Sequence, residues 1–312
     1  MLWIAASLVL AAVMVPWLYL WGKNLGAAAA ARELPGVLEW LGAACVRADF
    51  GRYFSRALVI AALGLLPFLF CRVGVARVWA GGAGEPGVCT SWGSAVVQMA
   101  VGCVVAGGIL WSMGILLEML GAYVQKPLPV AWGAVARKIA GAALGASLVE
   151  EWLFRGLLLG LWLRFAKPLA ACVGTSFFFA FIHFLKLPDG VEIAAPTSAL
   201  AGFEFLGKIL LHFTDPLFFV ADFATLFVVG MILSQARLRT GRLWFPMGLH
   251  AGWIMAFKSF NLRYAPVSGH PLHPWGVGET LRSGLVPMLA LGLTAVICHF
   301  IFRWFEPVRA GR

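Results

Sequence analysis

Long runs of apolar residues dominate the chain, and shorter stretches between them hold most of the charges. The runs are apolar on all sides, which is typical of helices in lipid, whereas a helix on a soluble domain is apolar on one face. A membrane-spanning helix needs about 20 such residues. The runs predict eight spans, at residues 2–22, 55–72, 94–120, 138–163, 168–187, 213–235, 243–260 and 283–303. We therefore expect an all-α fold, a polytopic membrane helical bundle of about eight transmembrane helices.

Three connections between the predicted spans are long. Residues 23–54 scatter single charges among apolar residues and predict an interfacial helix. Residues 73–93 include a glycine-rich break, and residues 188–212 place Glu204 and Lys208 four positions apart, as in an exposed amphipathic helix. The first predicted span has neither a basic stretch before it nor a cleavage motif, so we expect it to be retained as a span.

Composition agrees with a membrane protein. Of the 312 residues, 61% are hydrophobic and 12% are charged, where a soluble domain has about 45–50% and about 25%. The net charge is +10, but the basic residues lie between the apolar runs and form no patch interleaved with aromatic residues. This arrangement favours contact with anionic lipid, so we expect the lipid bilayer, and no nucleic acid, as a partner. The six cysteines form no C-x-x-C pair and predict no disulfide or thiolate–metal framework.

Three charges lie inside the predicted fourth span, at Glu150, Glu151 and Arg155. Each costs about 2.5–3.5 kcal/mol near a bilayer centre unless it is paired, so the fold must compensate them. Glu151 and Arg155 are four residues apart with the acid first, the favoured order for an ion pair on a helix. Glu150 projects about 100° away from Glu151 and needs another partner.

Glycines in the same span predict the side on which a neighbouring helix packs. At 100° per residue they fall on one stripe, which favours close approach of another helix. The four are Gly141, Gly145, Gly156 and Gly160. We expect the two glutamates to face away from this stripe, into a polar cavity. A buried network that fixes helix register is one interpretation of the charges; the extra carboxylate favours general-base chemistry on water.

Two histidines occur in later apolar runs, His183 with Phe179 one turn before it, and His250. Either histidine alone is compatible with a role in the core or at the interface. Together with Glu150 they predict a site at which the three side chains converge. Asp222 is a further charge within a predicted span, and either lines the same cavity or makes a separate polar contact.

Three motifs in chain order resemble those of the CPBP family, the CAAX prenyl endopeptidases and bacteriocin-processing membrane proteins. They are Glu150-Glu151-x-x-x-Arg155, Phe179-x-x-x-His183, and His250 within Gly-Leu-His-Ala. The resemblance implies an eight-helix bundle in a bacterial plasma membrane that acts as a glutamate-type intramembrane peptidase. It divides the chain into three regions: 1–125, N-terminal transmembrane helices and an interfacial segment; 126–262, a CPBP-like catalytic core; and 263–312, a C-terminal loop and the last transmembrane helix.

The resemblance also implies a role for each motif residue. Glu150 is expected to activate water and His183 to orient it, while His250 helps to stabilise the oxyanion. Glu151 and Arg155 are expected to position these groups. Peptide hydrolysis needs an activated water together with donors aimed at the developing oxyanion, so the set suits the reaction.

The third motif departs from the family pattern. An Asn or Asp usually follows the histidine by four positions, where this chain has Ile254. Trp253, one turn from His250, can offer an indole N–H donor instead. Phe179 and Lys186 are weaker candidates for contacts with the substrate or the oxyanion, Lys186 for a substrate carboxylate.

The predicted function is therefore that of an endopeptidase acting on a membrane-associated protein or peptide. The alternative is a non-catalytic membrane scaffold or immunity-type protein that retains the family fold. We expect no cofactor, because adjacent acids converge on a metal less readily than an H-E-x-x-H pair. Zinc bound by Glu150, His183 and His250 is the alternative. The oligomeric state is left open.

Overall fold

The computed structural model describes residues 2–31, 36–73, 92–127, 131–187 and 190–305. These residues are mostly helical, with one short antiparallel pair of strands. The helices are α1 (Leu2–Ala31), α2 (Val37–Arg47), α3 (Phe50–Val73), α4 (Trp92–Met119), α5 (Trp132–Glu151), the π-helix π1 (Trp152–Leu158), α6 (Leu159–Trp162), α7 (Pro168–His183), α8 (Ala201–His212), the π-helix π2 (Phe218–Phe223), α9 (Ala224–Thr240), α10 (Trp244–Arg263) and α11 (Leu285–Phe305). The strands are β1 (Tyr123–Gln125) and β2 (Tyr264–Pro266).

The described part of the chain confirms an all-α integral membrane protein. Four of its helices are long and apolar enough to cross a bilayer, namely Leu2–Ala31, Gly93–Met119, Phe218–Thr240 and Leu285–Phe302. A shorter apolar helix, α7, has 16 residues. The expected number of eight spans is not confirmed. In the predicted fourth span, the α-helix gives way to π1 directly after the paired acids, and the span is therefore divided among three segments.

The chain divides into two compact units. The first comprises Met1–Val75 and Ile182–Asp215, and in it α1 packs against α2, α3 and α8. Aromatic rings form much of its core: Phe54 stacks on Phe205 with ring centroids 4.6 Å apart. The second unit comprises Ala76–Phe181 and Pro216–Arg312.

The connection predicted to be amphipathic forms α8 in the first unit. Glu204 and Lys208 make the expected ion pair across one turn, with a separation of 2.7 Å. The hydrogen bond from Lys208 lowers the pKa of the Glu204 carboxyl. The glycine-rich break at 81–87 lies outside the described residues.

Helix α10 packs along α4 in the second unit, and glycines allow their backbones to approach closely. A Cβ added at Gly248 would overlap the carbonyl oxygen of Met99, and one added at Gly252 would overlap that of Cys103. From the other side, a Cβ at Gly102 would lie 2.6 Å from the carbonyl oxygen of Phe245. Small residues permit such close crossings, and here they fix the position of α10 against α4.

The glycine stripe predicted for the fourth span does not mediate such a contact, so that prediction is wrong. No described residue lies within 4 Å of a Cβ built at Gly141, Gly145 or Gly160, and at Gly156 the nearest atom is a methyl of Leu243, 3.5 Å away. Gly141 and Gly145 precede π1 and share one face of α5, but no described residue packs against that face. A π-helix bonds i to i+5, so π1 also changes the angular position of Gly160 relative to them.

The strands β1 and β2 join the ends of α4 and α10. Tyr123 pairs with Pro266, and Gln125 with Tyr264. Behind the strands, the ring of Phe260 stacks on Tyr264 at 4.3 Å. Burial raises the pKa of the Tyr123 phenol. The pair of strands was not predicted from the sequence, and it reinforces the α4–α10 contact at one end.

The α4–α10 contact predicts which glycines tolerate a methyl group. Gly252→Ala should destabilise the protein by about 1–3 kcal/mol, because the methyl meets a backbone carbonyl that cannot move aside. Gly145→Ala should leave stability unchanged or raise it by up to about 1 kcal/mol, since alanine is the better helix former. Unfolding of the purified variants in a mild detergent measures both. A greater loss for Gly145→Ala would contradict the packing described here.

Candidate active site

A buried ion pair lies where α5 passes into π1. The Nη1 of Arg155 is 3.0 Å from the Oε1 of Glu151, and both side chains are fully buried. The predicted pair is thereby confirmed. The Nη2 of Arg155 donates a second hydrogen bond, at 3.2 Å, to the carbonyl oxygen of Gly230 on α9. The arginine therefore connects the end of α5 to a neighbouring helix.

Gly230 is a residue of this arrangement that sequence reasoning missed. A Cβ at this position would lie 2.8 Å from the Cβ of Ser176 on α7, so α7 and α9 approach closely where Arg155 reaches the backbone. A single glycine in an apolar run carries no sequence signal for this role. The contact depends on two residues 75 positions apart.

Aromatic rings surround the guanidinium. The Cζ of Arg155 lies 4.4 Å from the ring centroid of Phe179, and 5.8 Å from that of Phe154. Phe179 is 1% exposed, and its ring meets the His250 ring at a centroid separation of 5.9 Å. A cation over an aromatic face is favourable, and more so away from water. Phe179 thus packs between the arginine and the imidazole, and it is buried.

His250 projects from α10 and lies close to both glutamates. Its Nδ1 is 2.8 Å from the Oε1 of Glu151, and its Nε2 is 3.7 Å from the Oε2 of Glu150. The same Oε1 accepts a hydrogen bond from Arg155, so this oxygen acts as a hydrogen-bond acceptor. We therefore assign a proton to Nδ1. The Nε2 atom is the one directed at Glu150.

The two neighbouring acids have different environments. The side chain of Glu151 is fully buried, whereas 29% of that of Glu150 remains exposed. Glu151 makes the short contacts with Arg155 and His250, while Glu150 lies at the longer distance. Its burial and its contacts suit Glu151 to hold the arrangement together, while the side chain of Glu150 is partly exposed and its Oε2 is buried.

The structure places the other predicted residues as follows. Trp253 is buried one turn after His250 on α10, and Ile254, at the position of the family's Asn or Asp, is half-buried. His183 is the exposed last residue of α7 and belongs to the first unit. Its convergence with Glu150 and His250 stays a prediction.

The remaining two charged candidates, Lys186 and Asp222, lie elsewhere in the described structure. Lys186 follows α7 and lines a cavity of the first unit. Asp222 lies on π2 and accepts a hydrogen bond from the hydroxyl of Ser283. This contact supports the alternative that gave Asp222 a separate polar role.

The zinc alternative can be compared with the donor set. Zinc sites use at least three protein ligands. Within the described ranges, no group of three His, Cys, Asp or Glu side chains is arranged to hold a metal ion. In the second unit the proposed zinc ligands are Glu150 and the Nε2 of His250, whose Nδ1 is bonded to Glu151. The third proposed ligand, His183, belongs to the first unit, so the zinc alternative stays a prediction.

The fold and this cluster together define an integral membrane protein with a carboxylate–imidazole centre supported by a buried ion pair. Residues 131–256 match the family model described as Type II CAAX prenyl endopeptidase Rce1-like. The match confirms the CPBP and CAAX endopeptidase resemblance over this part of the chain. No curated protein and no solved structure matches the chain.

The different environments of the two acids predict different effects on stability. Glu151→Gln should destabilise the protein by about 3–5 kcal/mol, because it leaves Arg155 charged and buried without its partner. Glu150→Gln is the matched control and should cost about 1 kcal/mol or less, since its side chain is partly exposed. Unfolding of both variants in the same detergent measures the difference. Equal losses would contradict the structural role assigned to Glu151.

Proposed function

We propose that this protein is an intramembrane endopeptidase that hydrolyses a peptide bond of a membrane-associated protein or peptide. The observation that carries the proposal is His250 between two carboxylates, one buried and paired with Arg155 and the other partly exposed. The Rce1-like domain at residues 131–256 supports the reaction class. We place the protein in a bacterial plasma membrane as part of the same proposal.

Glu150 is the proposed general base. Its Oε2 and the Nε2 of His250 are 3.7 Å apart and Oε2 is buried, so we propose that a water admitted with the substrate hydrogen-bonds to both atoms. Glu150 takes a proton from this water as its oxygen attacks the peptide carbonyl carbon. When the tetrahedral intermediate breaks its C–N bond, Glu150 returns the proton to the leaving amine.

His250 is the proposed donor to the oxyanion. In its imidazolium form it donates from Nδ1 to Glu151 and from Nε2 to the negative oxygen that develops on the substrate. The contact with the buried carboxylate holds the ring in position before the reaction begins. Such preorganised donors are among the largest contributions to catalysis, and losing one typically costs about 10²- to 10³-fold in rate.

Glu151, Arg155 and Phe179 act as positioning residues in this proposal. The ion pair keeps the Glu151 carboxylate in the form that accepts from Nδ1, and Phe179 packs against both the guanidinium and the imidazole. Because Phe179 is buried, we assign it packing rather than contact with a substrate. His183 retains the water-orienting role that the resemblance implies.

We propose that catalysis proceeds without a metal. The water is activated by the carboxylate of Glu150, and the oxyanion is stabilised by donors from the protein. The side chain of Glu150 is 29% exposed, whereas its Oε2, the atom that faces His250, is buried.

Glu150→Gln should abolish cleavage, with a loss of about 10²–10⁴-fold, because the amide cannot accept the proton from water. Mass spectrometry of new peptide termini in membranes that contain the wild type or the variant measures the effect. Glu192→Gln is the matched control, since it removes an exposed carboxylate outside the cluster.

Both variants should accumulate to the wild-type level, which separates loss of chemistry from loss of fold. Persistent cleavage by Glu150→Gln at that level would disprove the proposed base and leave the non-catalytic scaffold as the better account. A metal chelator should not change wild-type cleavage. If the chelator abolished cleavage and Zn²⁺ restored it, the metal-free mechanism would be wrong.

Trp253→Phe tests the replacement for the missing Asn or Asp. Trp253 is buried one turn from His250, so its indole N–H is the proposed second donor to the oxyanion. The variant should lower the cleavage rate about 10²- to 10³-fold while it retains the ring's packing. The same assay of peptide termini applies, and unchanged cleavage would remove Trp253 from the mechanism.

A further inference from the structure

A basic cavity in the first unit is lined by residues that take no part in the proposed catalysis. One of them, Lys186, is the weak candidate for a substrate carboxylate from the sequence analysis. Its volume is about 420 Å³, and it lies between the start of α3 and the turn that follows α7. Asp49, Arg52, Ser55, Arg56 and Lys186 are among the residues that line it. Three cationic side chains against one carboxylate give this wall a formal charge of +2. Its chemistry therefore favours an anion.

The single carboxylate of the wall is engaged by α3 itself. Asp49 Oδ1 accepts a hydrogen bond of 2.7 Å from the backbone N–H of Arg52, and Oδ2 lies 3.5 Å from Arg52 Nε. Asp49 thus caps the start of α3, and its charge is directed at the backbone and at one arginine. The guanidinium of Arg56 supplies a positive charge to the cavity that Asp49 does not contact.

Arg56 is held in a defined position. Its guanidinium lies over the ring of Tyr53, 5.6 Å from the centroid. The Tyr53 hydroxyl donates a hydrogen bond of 2.9 Å to the carbonyl oxygen of Cys45 on α2. An arginine stacked on a fixed aromatic ring loses less conformational freedom when it binds an anion, and its guanidinium suits two oxygens of a phosphate.

The exposed side of α3 continues the cavity with apolar residues. Arg56, Ile60 and Leu63 follow one another at helical spacing, and Ile60 and Leu63 are exposed by 49% and 59%. Val59 beside them is exposed as well. A cationic end followed by an apolar stripe has the arrangement of a phospholipid, with a charged headgroup and acyl chains. A soluble anion would make no use of the stripe.

We infer that this cavity binds the phosphate of an anionic phospholipid, with an acyl chain lying along the exposed side of α3. Basic pockets on membrane helices recognise such headgroups, and each basic side chain near an anionic lipid surface favours binding about fivefold. The inference is independent of the peptidase proposal, because a lipid can occupy this cavity whether or not the protein cleaves a peptide.

Native mass spectrometry of the full-length protein in a nonionic detergent tests the inference. The probes are a phosphatidylglycerol and a phosphatidylcholine with the same acyl chains, together with inorganic phosphate. The wild type should retain the phosphatidylglycerol in preference to the other two. Arg56→Gln should lower its affinity about fivefold, and Arg56→Lys, which keeps the charge but not the planar guanidinium, should lower it less than Arg56→Gln does. Arg47→Gln, which removes an exposed arginine that does not line the cavity, should change it less than about twofold.

Each remaining outcome would overturn the assignment. Equal retention of the two lipids would show that the headgroup charge is not recognised. Displacement of the lipid by an equal concentration of inorganic phosphate would identify a site for a soluble anion. An equal loss in Arg47→Gln would indicate general attraction to the protein's positive charge. Unfolding curves of the variants identify any that fail to fold, and Arg56→Lys then decides whether charge at this position matters.

Discussion

The buried contact of Glu151 with Arg155 and His250 constrains the rest of the second unit. A charge within a membrane protein is costly unless it is paired and its hydrogen bonds are satisfied. Arg155 is paired with Glu151 and donates to the carbonyl of Gly230, and Glu151 also bonds His250; Arg155 Nε and Glu151 Oε2 are buried without a hydrogen bond to any described residue. The arrangement therefore requires α5 and π1, α9 and α10 to lie at defined positions. The glycine-mediated crossing of α10 on α4 supplies one of those positions.

Features that depend on neighbouring residues were predictable from the sequence. The ion pair of Glu151 with Arg155 and that of Glu204 with Lys208 each lie within one turn of a helix, so their spacing was sufficient. The membrane class followed from long apolar runs. The polar residues within apolar runs already grouped His250 with Glu150, and the motif resemblance supported that grouping.

Features that depend on distant residues or on helix geometry were not predictable. The contact of His250 with Glu151 joins residues 99 positions apart. The glycines that mediate close packing lie in α4 and α10, where Gly248 and Gly252 showed the same spacing as the stripe predicted in α5. Spacing identifies glycines that can permit close approach, but the partner helix decides which of them do. A π-helix has no clear sequence signal, and π1 changes the angular position of Gly160 relative to the glycines of α5.

The angle between the adjacent acids Glu150 and Glu151 argued against a shared ligand, yet both acids lie near one histidine ring. Side chains about 100° apart on a helix do not converge on a common point, which argued against a shared ligand. An imidazole does not require convergence, because its two nitrogens point in different directions. A ring from α10 can therefore meet Glu151 with Nδ1 and face Glu150 with Nε2, at 2.8 and 3.7 Å. The divergence of the two carboxylates is thus what allows one histidine to be held by the first and directed at the second.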